Sequence, residues 1–296
     1  MDLTLPRRLN LVSLPWILEH WPPTSGHVTI HFHRDQRVEP AGMVGLACLI
    51  DRHTRGGGVV ALNHADCSTI GYWERMGFFD QLGHPSPAPS GQRRASARRF
   101  SEMKKVEEID LVDGLTNELV SVVSPQGDAL RVLSHVVSEA LNNICQHSEA
   151  YGFSSAQYWA GTEQAEFCIA DGGRGLFEAL TPRYQPKNDT EAVELALKVG
   201  ITSRPPSRGQ TAMRNRGVGL TCIHRLIESN GGQFCLWSGK GQFTSALGRQ
   251  TLEQSTFSWP GTLITVKMPR GNLTASFQDV MGPLSEELHR VEKGTR

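Results

Sequence analysis

Residues 83–100 constrain this chain most: Gly-His-Pro-Ser-Pro-Ala-Pro-Ser-Gly-Gln-Arg-Arg-Ala-Ser-Ala-Arg-Arg-Phe. Three prolines, and no aliphatic side chain larger than alanine, leave this stretch nothing to bury. It reads as a linker or exposed loop. The chain has 296 residues, which suits about two domains of roughly 150 residues each. We read a first domain over 1–85, a basic Pro/Ser-rich linker over 86–105, a second domain over 106–270 and a tail over 271–296.

Charge narrows the function classes. Lys+Arg and Asp+Glu both number 30, so the net charge is zero. That argues against a protein whose whole body binds nucleic acid or an anionic membrane. The balance hides a near-neutral first part at −1, a linker at +5 and a second part at −4. The Arg93–Arg99 stretch has only Phe100 as an aromatic neighbour and no nucleic-acid fold motif, so nucleic acid is disfavoured as a partner. The longest apolar run, Ala41 to Ile50, is half a membrane span, which predicts no membrane partner. The six cysteines lie at least thirteen residues apart, which gives no CxxC pair and fits a reducing compartment. The first residues lack an apolar signal core. The expected localisation is cytoplasmic.

Before the linker the pattern is strand, helix, strand, helix. Val28, Ile30 and Phe32 alternate with Thr29 and His31. A helix follows over 41–53, then a strand over 59–62 and a helix from Ser68 or Thr69 to Met76, closed by Gly77. His31 and His33 share one face of the first strand and lack a visible third metal ligand. After the linker we expect a helix from Ala129 to His147 and a strand from Glu166 to Ala170. Helices over 190–199 and 217–229 and strands over 233–237 and 262–268 complete the expected pattern.

Three segments of the second part bear chemistry. Glu139, Asn143 and His147 are spaced by four twice and share one helix face. An acid and an amide so placed can hold a divalent cation and orient water. Asp171-Gly-Gly173-Arg-Gly175 ends a strand, where glycines admit close approach to a ligand and the aspartate can accept from an amine. Arg216-Gly217-Val-Gly219-Leu220 opens a helix, whose free N–H groups suit phosphate. Each segment alone also reads structurally, as a solvated helix face, a glycine turn or a bare helix start.

In this order the segments resemble the GHKL ATP-binding family of gyrase B, heat-shock chaperone ATPases, histidine kinases and MutL mismatch-repair ATPases. Glu139-x3-Asn143-x3-His147 is similar to its N box, Asp171-x-Gly173-x-Gly175 to its G1 box and Gly217-x-Gly219-Leu220 to its G2 box. Gly261-Thr262 before Leu263–Met268 resembles its final strand. The resemblance covers about residues 106–270. It implies ATP and Mg²⁺ as cofactors, with Asn143 coordinating Mg²⁺ and Glu139 as the catalytic base. Asp171 would read the adenine amine, with Thr262 nearby and Gly173 and Gly175 beside the base. Gly217 and Gly219 would hold phosphate oxygens. The acid-free stretch 195–216 carries Lys198, Arg204, Arg208, Arg214 and Arg216. It would be a lid, with Arg214 and Arg216 nearest the phosphates.

Ala196–Ser203 and the short length resemble the anti-sigma-factor and histidine-kinase branch. His135 lies inside the N-box helix, a poor place for a phosphoacceptor. Residues 25–82 resemble a STAS-like domain, the fold of anti-sigma-factor antagonists, with Ala41 where those carry a phosphorylatable residue. The implied fold class is α/β: an N-terminal STAS-like domain, then a GHKL (Bergerat) two-layer α/β sandwich with a mixed sheet. The implied function is an ATP-binding regulatory protein, a protein-serine kinase or ATPase in bacterial-type signalling. The alternative is a non-catalytic ATP-gated switch that docks through the STAS-like domain. A regulatory protein partner is expected, and a homodimer stays open.

Overall fold

A computed structural model describes residues 1–23, 25–87, 99–123, 127–147, 150–202, 218–270 and 277–294. The N-terminal part runs β1 (Asp2–Thr4), β2 (Arg8–Leu9), α1 (Leu14–Glu19), β3 (His27–His31), β4 (Arg37–Val38), α2 (Pro40–Arg55), β5 (Val59–Asn63), α3 (Ile70–Arg75) and α4 (Phe78–Gln81). Next come β6 (Phe100–Val106), α5 (Val112–Val123), α6 (Gly127–His147), β7 (Gly152–Trp159), β8 (Gln164–Asp171), α7 (Leu176–Tyr184) and α8 (Asp189–Ala196). The described elements end with α9 (Gly219–Ser229), β9 (Gln233–Ala246), β10 (Arg249–Pro269) and α10 (Phe277–Gly294). Among the described residues, no helix is long and apolar enough to cross a membrane.

The fold is mixed α/β. The order β1-β3-β5 forms a parallel three-stranded sheet, and β2 and β4 add a parallel pair. The larger sheet has the order β6-β7-β8-β10-β9. All its ladders are antiparallel, which corrects the expectation of a mixed sheet there. The short connections from β7 to β8 and from β9 to β10 permit only antiparallel pairing, because a parallel neighbour needs a crossover of a dozen residues or more.

The sheet is covered on both faces, so the expected two layers become three. Phe167 and Ile169 of β8, and Phe234 and Leu236 of β9, pack against α5, α6 and α9. Their neighbours Cys168, Ala170, Cys235 and Trp237 point the other way, into a core shared with the N-terminal part. Alternation along a strand sends successive side chains to opposite faces, and here both faces are apolar. The covering element is α2. Every residue from Pro40 to Ile50 is buried, as expected of a helix that is apolar all round. It packs on β7 and β8 on one side and on β5 on the other.

A polar bridge crosses the same seam. Glu166 of β8 is 4% exposed and accepts the Ala41 N–H at the start of α2 (3.0 Å). Lys267 lies 4.0 Å from Glu166 and 3.8 Å from Glu39, and Glu39 accepts Arg8 Nε (2.8 Å). Burial pushes the Glu166 carboxyl up to about 7. Residues 100–105, assigned to the linker from sequence, form most of β6 and pair with β7. The outer edge of β6 is used as well. Met103 N–H donates to Met76 O (2.7 Å), and Lys105 N–H donates to Gln81 Oε1 (2.8 Å).

Candidate functional site

One cavity lies where α6, α7, α9, β8 and β10 meet. Glu139, Asn143, Asp171, Gly175, Gly219 and Thr262 all line it, with Ile144, Ile169, Leu180 and Ile264 as apolar walls. The cavity measures about 120 Å³ among the described residues. A pocket with apolar walls and a few convergent polar groups is the usual form of a small-ligand site.

Asp171 is set at the end of β8 and is 4% exposed. Its Oδ1 accepts the Gly173 N–H (2.9 Å), and its Oδ2 accepts the Thr262 N–H (3.3 Å). The main-chain oxygen of Asp171 accepts Trp259 Nε1 (3.2 Å). Burial pushes the carboxyl up to about 7, against the pull of the Gly173 and Thr262 N–H groups and of Arg55. Gly261 makes this geometry possible. Its φ is +88°, and a Cβ there would stand 2.3 Å from Asp171 Oδ1 and 2.7 Å from the Gly173 nitrogen. Only glycine lets β10 come so close to the carboxylate at this point.

Glu139 and Asn143 sit one turn apart on α6. The interval of four puts both on the cavity side, Glu139 half-buried and Asn143 exposed. A Cβ at Gly219 would lie 3.4 Å from Glu139 Oε2, so the carboxylate rests against the start of α9. Gly175 caps α7 next to Ser238, whose hydroxyl accepts the Leu176 N–H (2.8 Å) and donates to Gly261 O (2.7 Å).

The structure thus brings Glu139, Asn143, Asp171, Gly175, Gly219 and Thr262 to one cavity, and Gly173 adjoins it through Asp171. Gly217, Arg214, Arg216, Arg204 and Arg208 lie outside the described residues, as does the side chain of His147. Lys198 does not line the cavity; it pairs with Glu194 one helical turn earlier (2.8 Å). Glu194 stands just before the acid-free stretch, so its charge escaped that count. His31 contacts Asp2 (2.8 Å) and Asn63 (3.1 Å), while His33 lies beyond β3 and accepts the Asp35 N–H (3.1 Å). No group of three or more metal-ligating side chains occurs among the described residues.

Sequence reasoning missed Arg174, Ser238 and Trp259. Arg174 lines the cavity from inside the Asp171–Gly175 turn, so that motif already flagged its position. Ser238 and Trp259 carried no signal, because their roles depend on strand pairing distant in sequence. The helix α2 was expected over 41–53, but its place beside the site was not. A Cβ on Gly172 would lie 3.2 Å from Cys48 O and 3.5 Å from Arg52 Cβ, so α2 rests on the backbone beside Asp171. No protein-family model matches the chain, and a search of curated proteins finds no match.

Proposed function

We propose that this chain binds Mg·ATP in the cavity around Asp171 and acts as a regulatory phosphoryl-transfer protein of the GHKL type, with a STAS-like N-terminal part. One observation carries the reading. A buried carboxylate, held by two backbone N–H groups, shares a cavity with an acid and an amide spaced by four on one helix. Asp171 is suited to accept from the exocyclic amine of adenine, which gives it a reason to be buried without a cationic partner in contact among the described residues. Ile144, Ile169 and Ile264 are suited to the flat faces of the base.

The donor set fits Mg²⁺. This ion keeps several waters and binds substrate phosphates, so Asn143 Oδ1 would serve as one side-chain ligand beside them. Bound there, it would neutralise phosphate charge. Glu139, one turn away, is placed to take a proton from the attacking hydroxyl, whether of water or of a protein serine. The start of α9 offers N–H groups to phosphate oxygens.

The test is ATP binding and turnover in wild type and Glu139→Gln. Binding retained with turnover lost by a factor of at least about 100 supports the assignment. Equal turnover in both removes Glu139 from the chemistry. The contact of α2 with Gly172 favours a second reading. A partner that displaces the N-terminal part would shift Asp171 and change ATP affinity, giving an ATP-gated switch. Partner binding that depends on ATP and survives Glu139→Gln would favour that switch over catalysis.

A further inference from the structure

The stretch read from sequence as a tail holds the helix α10, which lies beyond the region that resembles the GHKL family. Val280, Leu284, Leu288 and Val291 recur at intervals of four and three and form one stripe along it. Val280 and Leu284 are buried in the same core as Val199, which follows α8, and Leu288 packs against that core. Glu287 accepts Arg225 Nη2 of α9 (2.7 Å). Gly282 and Pro283 are poor helix formers inside the helix, so its helical state depends on this packing.

Just past Val199 the chain turns at Gly200, whose φ is +84°. A Cβ there would stand 3.3 Å from Val291 Cγ1 and 3.8 Å from Leu288 Cδ1, so α10 rests on this glycine. The next two residues, Ile201 and Thr202, line the cavity around Asp171. The helix α7 holds them too. Tyr184 Oη accepts the Thr202 N–H (3.2 Å), and Arg183 Nη1 donates to Thr202 O (3.3 Å). Gly200 brings no side chain of its own, so Leu288 and Val291 supply the packing at this turn.

We infer that Leu288 and Val291 are positioning residues for the nucleotide: seated on Gly200, α10 keeps Ile201 and Thr202 in the cavity wall, so that ATP binding and α10 docking strengthen each other. This rests on the Mg·ATP reading above. A ligand that touches Ile201 and Thr202 favours the seated state of α10. By linkage the seated state favours the ligand by the same factor. Whatever lifts α10 therefore weakens ATP binding, although α10 contributes no residue to the cavity lining.

The test uses the full chain with Mg·ATP, measuring affinity by calorimetry, amide hydrogen exchange and melting temperature. Leu288→Ala/Val291→Ala removes both side chains that touch Gly200 while keeping good helix formers. His289→Ala, on the exposed side of α10, is the control. The double variant is expected to bind ATP about fivefold or more weakly. Its Thr202 amide should exchange faster than that of wild type even without nucleotide. The control is expected to bind within about twofold of wild type. In wild type, Mg·ATP should slow exchange of the 284–291 amides by about fivefold or more, and slow those of α1 less. A merely structural α10 would show no such local response. If the double variant melts far below wild type, Val291→Ala decides. Val291 is 43% exposed, so its truncation costs little stability, and it must still weaken ATP binding. Affinity equal to wild type in the deciding variant, or 284–291 exchange indifferent to ATP, overturns the inference while the nucleotide reading stands. A wild type that does not bind ATP overturns the nucleotide reading and this inference with it.

Discussion

Phe153 tests whether the N-terminal part and the five-stranded sheet are one cooperative unit. It lies on β7, is fully buried and belongs to the core shared with α2. Phe153→Ala removes the ring from a packed site. Such truncations cost about 3–5 kcal/mol, from lost transfer energy and the cavity left behind. Domains hold about 5–15 kcal/mol in all, so the loss is a large share. With a urea dependence near 3 kcal/mol per molar, the midpoint falls by about 1–2 M. Urea unfolding combined with amide hydrogen exchange reads both halves at once. The expected result is a single transition that moves as a whole, with α2 amides losing protection together with those of β7 and β8. Two transitions, with only the later residues affected, would refute the shared core. So would unchanged protection of α2 in the variant.

Three further outcomes follow from the buried carboxyls and the Gly261 turn. Glu166 titrates near 7 in the fold against 4.5 when unperturbed. The fold therefore favours its neutral form, and stability present below pH 4.5 is lost as pH rises through 7. Glu166→Gln, which can still accept the Ala41 N–H, is expected to stabilise the protein at pH 8 by at most roughly 3 kcal/mol and to change little at pH 4. Thermal melting at the two pH values checks this, and equal shifts at both would contradict it. In the proposed site Asp171 would accept from adenine most strongly when ionised, and its carboxyl is raised to about 7. ATP affinity is expected to weaken as pH falls from 8 to 6, by up to about tenfold per unit below 7, and Asp171→Asn should flatten that component of the profile. Gly261→Ala places a methyl 2.3 Å from Asp171 Oδ1 at a φ of +88°. Calorimetry should show ATP binding lost or weakened more than about tenfold, with a lower melting temperature.

Much of the site could be read from local pattern, because its residues lie on regular elements. The interval of four placed Glu139 and Asn143 on one face of α6, and the apolar run into Asp171-Gly-Gly-Arg-Gly marked the end of β8. What escaped depended on distant pairing. The β6 sequence Phe-Ser-Glu-Met-Lys-Lys-Val carries three charges and follows a proline-rich stretch, so it looked like linker. Its strand state comes from β7 on one side and the α3–α4 region on the other. The third layer escaped for a related reason. The all-round apolar character of α2 says that it is buried but not against what, and both a small domain of its own and a second sheet satisfy that pattern. The long β9–β10 ribbon was read only where its sides are apolar, because Arg249–Ser255 is largely exposed and polar on both faces.

The central claim is that Asp171 reads adenine, and one titration addresses it directly. ATP with Mg²⁺ is added to wild type and to Asp171→Asn at pH 8, with heat as the readout. The substitution removes a charged acceptor while keeping the shape, and hydrogen bonds to charged groups are worth about 1.5–3 kcal/mol. The account predicts affinity lower in the variant by about 10- to 150-fold, with a cooperative melt showing that the variant is still folded although one of the Gly173 and Thr262 N–H groups loses its acceptor. Equal affinity in the two proteins, or no ATP binding by wild type, would contradict it.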